Sequence, residues 1–216
     1  MNKEQIVYIN TASELAKHIP AIEKAPRVAV DLEFDRNRYK YGFTMCLMQI
    51  MAGDICYLID PLNEELDLSP IYKILEDPKK PVVVFSFQED LMLFHLQGCR
   101  PTALYDTGVA IRLLDVAQSS LAVVLKEFLD IEVNKDAQKS NGFNRPLSQE
   151  QLNYAAQDVF HLFSLMDVVD AKAKELERAA WIKEENAYWE SMDYSNLTQD
   201  AYLKEKDKKD FTEVQW

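Results

Sequence analysis

The sequence predicts an α/β fold, a mixed sheet flanked by helices, and three observations predict it. β-like runs crowd the first 85 residues, helical patterning fills most of the chain from residue 89, and the end turns to alternating charge. Strands gathered early and helices gathered late suit one mixed sheet covered by helices. Residues 1–190 are therefore expected to form one domain, with 191–216, ending KEKDKKDFTEVQW, as a charged tail.

Residues 5–9 (QIVYI) read as a short strand, after which Thr11 and Glu14 form a capping-box pattern that opens a helix. Three β-like runs follow, Val28–Glu33, Met45–Met51 and Cys56–Ile59. Gly53-Asp54 between the last two is a hairpin turn signal, so the three runs predict an antiparallel meander. A helix is expected around Ser69–Leu75, then a buried strand at Val82–Phe85, which is short, β-branched and preceded by Pro81. Helices are predicted over about Glu89–Leu96, ended by Gly98, and over Thr107–Leu114 and Leu121–Phe128. The polar stretch 134–147 interrupts them. Ser148 with Gln151 then caps a long last helix expected to run past Trp181, and Trp181, Tyr188 and Trp189 are expected to pack on the core.

With 48% hydrophobic and 28% charged residues over 216 positions, the chain can build a globular core. Its 24 Lys and Arg against 36 Asp and Glu give a net charge of -12, which argues against a broad basic nucleic-acid surface. A nucleic-acid enzyme stays open, because bound divalent cations invert the sign of a local field. The start MNKEQIVYIN carries no secretory pattern, and no apolar run is long enough to span a membrane. Cys46, Cys56 and Cys99 sit in apolar runs without further Cys or His at metal-ligand spacing, and read as reduced and buried. A cytoplasmic protein with no membrane contact is the expectation.

Asp31 and Glu33 interrupt the strand VAVDLEF, and alternate strand positions share a face. Two carboxylates on one face of a central strand repel unless a cation lies between them. Asp90 falls in the first turn of the helix after VVVF, at the carboxyl edge of a neighbouring strand. Tyr154 and Asp158, four apart, share one face of the last helix. At about 100° per residue, Leu152, Ala155, Val159, Leu162, Phe163 and Met166 form an apolar stripe, with Tyr154 and Asp158 roughly 110° from its centre. Residues there can face a cleft beside the core. Such a carboxylate set permits two-metal phosphoryl hydrolysis, because hard cations take oxygen ligands and share them with phosphate. Each element alone has an ordinary structural explanation; their joint occurrence carries the signal.

These residues resemble the DEDD superfamily of 3′–5′ exonucleases, in its tyrosine-bearing branch, and most closely the ribonuclease D family. The motifs are VAVDLEF with Asp31 and Glu33, SFQEDLMLF with Asp90, and YAAQDV with Tyr154 and Asp158. CLMQI, YLIDPL, LYDTGVAIRLL and RPLSQEQLNYAAQDV add supporting text, so the resemblance covers about residues 5–185. It implies a ribonuclease H-like fold and two divalent cations, Mg²⁺ or Mn²⁺, held by Asp31, Glu33, Asp90 and Asp158. It implies that Tyr154 orients, and helps deprotonate, the attacking water, and that nucleoside 5′-monophosphates leave from the 3′ end. Ribonuclease D usually carries Asp-Trp before Arg-Pro-Leu, where this chain has Asn141-Gly142-Phe143-Asn144 before Arg145-Pro146-Leu147. The His-Ala-Gly often found ahead of the second motif is Phe85-Ser86-Phe87 here. Both departures bear on substrate choice more than on catalysis. The helical C-terminal domains of ribonuclease D do not fit in the remaining residues, so a stand-alone nuclease domain is expected.

The partner expected on this reading is nucleic acid, RNA or DNA, with a free 3′ end. Arg36, Arg38 and Lys40 interleave with Phe34, Tyr39, Tyr41 and Phe43, a local excess of positive charge beside aromatics that suits a single strand. The same residues would also suit a solvated loop with its aromatics tucked into the core. Phe34 is a candidate to stack on the terminal base, and Arg145, with Lys135 and Lys139, forms a second basic strip. The competing reading is a non-catalytic relative that keeps the fold and binds nucleic acid or protein. All four carboxylates and the tyrosine being present weighs against it.

Overall fold

A computed structural model of the chain describes residues 5–36, 43–62, 66–116, 120–133 and 145–194, the side chains of 35, 36 and 43 excepted. Strand β1 (Ile6–Ile9) leads into α1 (Ala12–Lys24), whose Thr11 cap accepts from the backbone N–H of Glu14. Glu14 in turn accepts from the Thr11 hydroxyl and the N–H of Asn10, one residue before the cap. Then come β2 (Val28–Arg36), β3 (Phe43–Ala52) and β4 (Ile55–Ile59), the last two joined at Gly53, whose φ of +60° a side chain would strain. Helix α2 (Ser69–Leu75), strand β5 (Val82–Val84) and helix α3 (Gln88–Leu96) follow, with Gly98 at φ +81° just past the end of α3.

Two features differ from the expected plan. A sixth strand, β6 (Leu104–Asp106), lies in a region that reads as helical, because three residues are too few to show a period of two. It passes directly into α4 (Thr107–Arg112), and α5 (Leu121–Leu129) follows. The long last helix is three: α6 (Gln149–Phe160), α7 (Leu162–Glu175) and α8 (Ala179–Ser191). His161 breaks the first junction, and Glu177 at φ +58° turns the chain at the second. The Ser148–Gln151 capping box at the start of α6 forms in both directions.

The sheet order is β1-β4-β3-β2-β5-β6. β2, β3 and β4 pair antiparallel as expected, while β1 joins β4 and β5 joins both β2 and β6 in parallel. Residues of α1, α2 and α3 bury one face with Val28, Val30, Leu32, Ile50 and Ile59. Residues of α4 to α8 bury the other with Ala29, Leu47, Met51, Leu58 and Val83. The three cysteines are buried and form no disulfide with one another. Trp181 and Tyr188 are each 53% exposed, so the expected packing of that cluster on the core is not what forms. None of the described helices is long and apolar enough to cross a membrane.

Candidate active site

Alternation along β2 sends Leu32 into the α1–α3 core and places Asp31 and Glu33 on the face covered by α6. Asp31 stands opposite Gln49 in β3, and Glu33 opposite Leu47. Helix α6 crosses β2, β3 and β4 with Ala155 and Ala156 buried against the sheet, and such small side chains let a helix lie close. Tyr154 and Asp158 thereby come down beside the β2 carboxylates. Asp90 arrives from the neighbouring parallel strand, in the first turn of α3, and is 8% exposed.

The electrostatics show the convergence. Burial, followed by repulsion from Asp90, Asp158 and Glu33, raises the Asp31 carboxyl well above the usual range. Burial raises Glu33 as well. Asp90 is pushed up to about 7 by burial, with Glu89, Asp106 and Glu33 adding to it. Asp158 is also pushed to about 7, by burial and Glu33. Burial and the fields of Asp158, Glu33 and Asp31 push the Tyr154 phenol to about 12. Asp31, Asp90, Asp158 and Tyr154 all sense Glu33, and Asp31 and Tyr154 sense Asp158 as well, although these groups come from β2, α3 and α6. Among the described residues no three acidic, His or Cys side chains are drawn into a ready-made ion cage. The donors are all carboxylate oxygens, the set that hard divalent cations prefer.

Sequence reasoning passed over three polar residues around this arrangement, two of which hold it by hydrogen bonds. Asp106, at the end of β6, accepts from the backbone N–H groups of Ser86 (2.7 Å), Phe87 (2.9 Å), Gly108 (2.8 Å) and Val109 (3.1 Å). It both caps α4 and fixes the turn that leads into Asp90. Asp60, after β4, receives the guanidinium of Arg145 and the hydroxyl of Tyr8. Gln49 is wholly buried, and neither its Oε1 nor its Nε2 has a hydrogen-bond partner. An amide left in that condition costs about 1–3 kcal/mol. The available signals were an acid closing each of two apolar runs, in YLID and LYD, and an amide inside the run CLMQI.

The expected substrate residues divide. Phe34, half-buried, lies on the opposite face of β2 from Glu33 and packs partly against the α1–α3 core. The Arg145 guanidinium is engaged by Asp60 and the Cys46 carbonyl, at the loop that enters α6. The Arg36 side chain, Arg38, Tyr39, Lys40, Tyr41, the Phe43 side chain, Lys135, Lys139 and Asn141–Asn144 lie outside the described residues.

A family model described as 3′–5′ exonuclease matches residues 6–172. The chain belongs to the 3′–5′ exonuclease family. Ribonuclease D of Pseudomonas paraeruginosa is 36% identical over 185 residues, covering 85% of this chain and 48% of that protein. The crystal structure of Escherichia coli RNase D superposes with a TM-score of 0.82 at 27% identity, over 91% of this chain and 51% of that one. Brucella melitensis NrnC shares the fold, with a TM-score of 0.79 at 23% identity over 93% of this chain and 97% of its own. The ribonuclease H-like exonuclease fold and the ribonuclease D-like membership expected from the motifs are thus found. The chain spans about half the length of the Pseudomonas relative.

Proposed function

We propose that this member of the exonuclease family is a divalent-cation-dependent 3′–5′ exonuclease that shortens single-stranded nucleic acid and releases nucleoside 5′-monophosphates. The observation that carries the reading is the burial of four acids from three elements within reach of one another: Asp31 feels Asp90, Asp158 and Glu33, Asp90 and Asp158 feel Glu33, and Tyr154 feels Asp158, Glu33 and Asp31. Carboxyls raised by burial and by one another are groups whose ionised form a cation stabilises.

In this reading the four carboxylates hold two Mg²⁺ or Mn²⁺ ions. Such ions supply Lewis-acid polarisation of the phosphodiester and lower the pKa of water. The Tyr154 phenol, which stands in the fields of Asp158, Glu33 and Asp31, would orient the attacking water by hydrogen bonding and help deprotonate it, the cations supplying most of the acidity. The basic residues Arg36 and Arg38 serve the substrate strand near the end of β2, while Phe34, packed against the α1–α3 core, would reach a terminal base only at its exposed edge. Arg145 contributes by holding the loop ahead of α6. Escherichia coli RNase D, described as an exoribonuclease involved in structured RNA processing, makes RNA the first substrate to test. A cytoplasmic setting suits that substrate.

The test is incubation with 5′-labelled single-stranded RNA and DNA, with Mn²⁺ or with EDTA, beside Asp31→Ala. The expected result is a cation-dependent ladder shortening from the 3′ end, lost in the variant. Tight binding of either strand without shortening would instead assign the chain to the non-catalytic relatives.

A further inference from the structure

Gln49 is a polar side chain with no access to solvent and no partner for either end of its amide, in the strand register directly opposite Asp31. Antiparallel partners that face each other across a ladder send their side chains to the same face. That face is the one α6 covers, and it otherwise holds Ala29, Leu47, Met51 and Leu58 around Gln49. An apolar residue would fill such a place without leaving polar atoms unpaired. We infer that Gln49 is a positioning residue for the carboxylate cluster: its Nε2–H, unpaired in the ion-free protein, donates to the Asp31 carboxylate once a cation is held there and fixes the orientation in which Asp31 receives it.

This inference rests on the proposed cation-binding role of Asp31. The chemistry is that of any ligating carboxylate whose second oxygen is steadied by a neighbouring donor. A neutral amide suits the position. A Lys or Arg there would compete with the cation for Asp31, and another carboxylate would add to the repulsion already present among the four acids.

An alternative partner exists. Gln157 Oε1, on α6, is also buried without a donor. If Gln49 served only to meet Gln157, its removal would lower the stability of the fold and leave cation binding unchanged.

The experiment compares wild type, Gln49→Met and Gln157→Leu by thermal unfolding in EDTA and by calorimetric titration with Mn²⁺. Gln49→Met conserves volume and removes two unpaired polar atoms, so its melting temperature in EDTA is expected to equal or exceed that of wild type. Its Mn²⁺ affinity is expected to fall 10- to 100-fold, the usual effect of losing a group that steadies a ligand. With RNA as substrate, kcat should fall at subsaturating Mn²⁺ and recover as Mn²⁺ is raised, while KM for RNA stays constant. Gln157→Leu is expected to bind Mn²⁺ as wild type does. Unchanged Mn²⁺ affinity in Gln49→Met, with wild type binding the ion, overturns this inference alone. Failure of wild type to bind Mn²⁺ overturns the cation-site reading and this inference with it.

Discussion

Arg145 and Asp60, 85 residues apart, close a charge pair in which the carboxylate is 5% exposed. The same guanidinium donates to the Cys46 carbonyl at 2.6 Å. The β2–β3 register shifts there: Glu33 pairs with Leu47 and Phe34 with Met45, leaving Cys46 as the extra residue of a bulge. One residue after the Glu33 register, the ladder thus opens toward the loop that enters α6, and the pair ties that loop to β4. This links the strand bearing two carboxylates to the helix bearing Tyr154 and Asp158.

Breaking that link should cost stability first and activity second. Arg145→Ala leaves Asp60 buried and charged, an effect of about 3 kcal/mol. For a chain of this size that lowers Tm by about 6–12 °C. Burial works to raise the Asp60 carboxyl, but the hydrogen bonds from Arg145, Tyr8 and the Leu62 N–H leave it below its ordinary value. Its contribution is therefore present above the unfolded value of about 4 and lost as pH falls through the folded one. Thermal unfolding of wild type and Arg145→Ala across pH 3–6 should show the two converging at the acid end. A constant gap would mean that the loss comes from contacts of Arg145 other than the Asp60 charge.

The carboxylate cluster should act on stability in the opposite sense. Asp90 and Asp158 titrate near 7 in the folded protein, against about 4 when unfolded. Their penalty is absent below about 4, grows as pH rises, and is complete above 7. With EDTA present, the part of Tm that these groups govern should fall between pH 4 and 7.5. Millimolar Mn²⁺ should flatten that fall, because a ligand that binds only the folded state stabilises it. Equal profiles with and without Mn²⁺ would refute cation binding at these groups.

Asp31→Asn should separate function from folding. Removing one of four repelling charges is expected to raise Tm in EDTA by a few degrees. Turnover should drop by at least about 10³-fold, since several kcal/mol of transition-state stabilisation depend on a held cation. A variant that loses both stability and turnover would show Asp31 to be structural.

Tyr154→Phe keeps the ring and removes one donor. We expect kcat to fall by about 10²-fold, with Mn²⁺ affinity and Tm in EDTA near wild type. A comparable loss of Mn²⁺ affinity would place the phenol on the ion instead of the water.

Gly108→Ala tests the turn before Asp90. A Cβ at position 108 would lie 2.4 Å from Ser86 Oγ and 2.9 Å from the Ser86 backbone nitrogen. Ser86 is already at φ +56° and is held by Asp106, so it has little room to yield. The expected cost is about 2 kcal/mol, read by thermal unfolding, together with reduced turnover as Asp90 shifts. An unchanged Tm would show that the turn gives way freely.

Much of this molecule follows from local sequence. Asp31 and Glu33 share a face because a strand alternates, and Tyr154 and Asp158 share one because a helix repeats every 3.6 residues. The cap at Thr11, the turn at Gly53 and the box at Ser148 are equally local, and the structure contains all three. Outside that reach lay β6, three residues long, whose strand state comes from pairing with β5. The division of the last helix also escaped, since the apolar stripe continues across His161 while the backbone does not.

The site's supports were a different matter. Asp60 and Asp106 have roles defined by partners distant in sequence, Arg145 and the Ser86–Phe87 turn, and Gln49 has its place defined by the neighbouring strand, opposite Asp31. An acid at a strand end reads as a turn residue until the sheet decides what it faces. Residue order and local periodicity place the proposed site groups, each on a known face of its own element. That β2, α3 and α6 meet is settled by packing, because burial and repulsion act between elements and not within them.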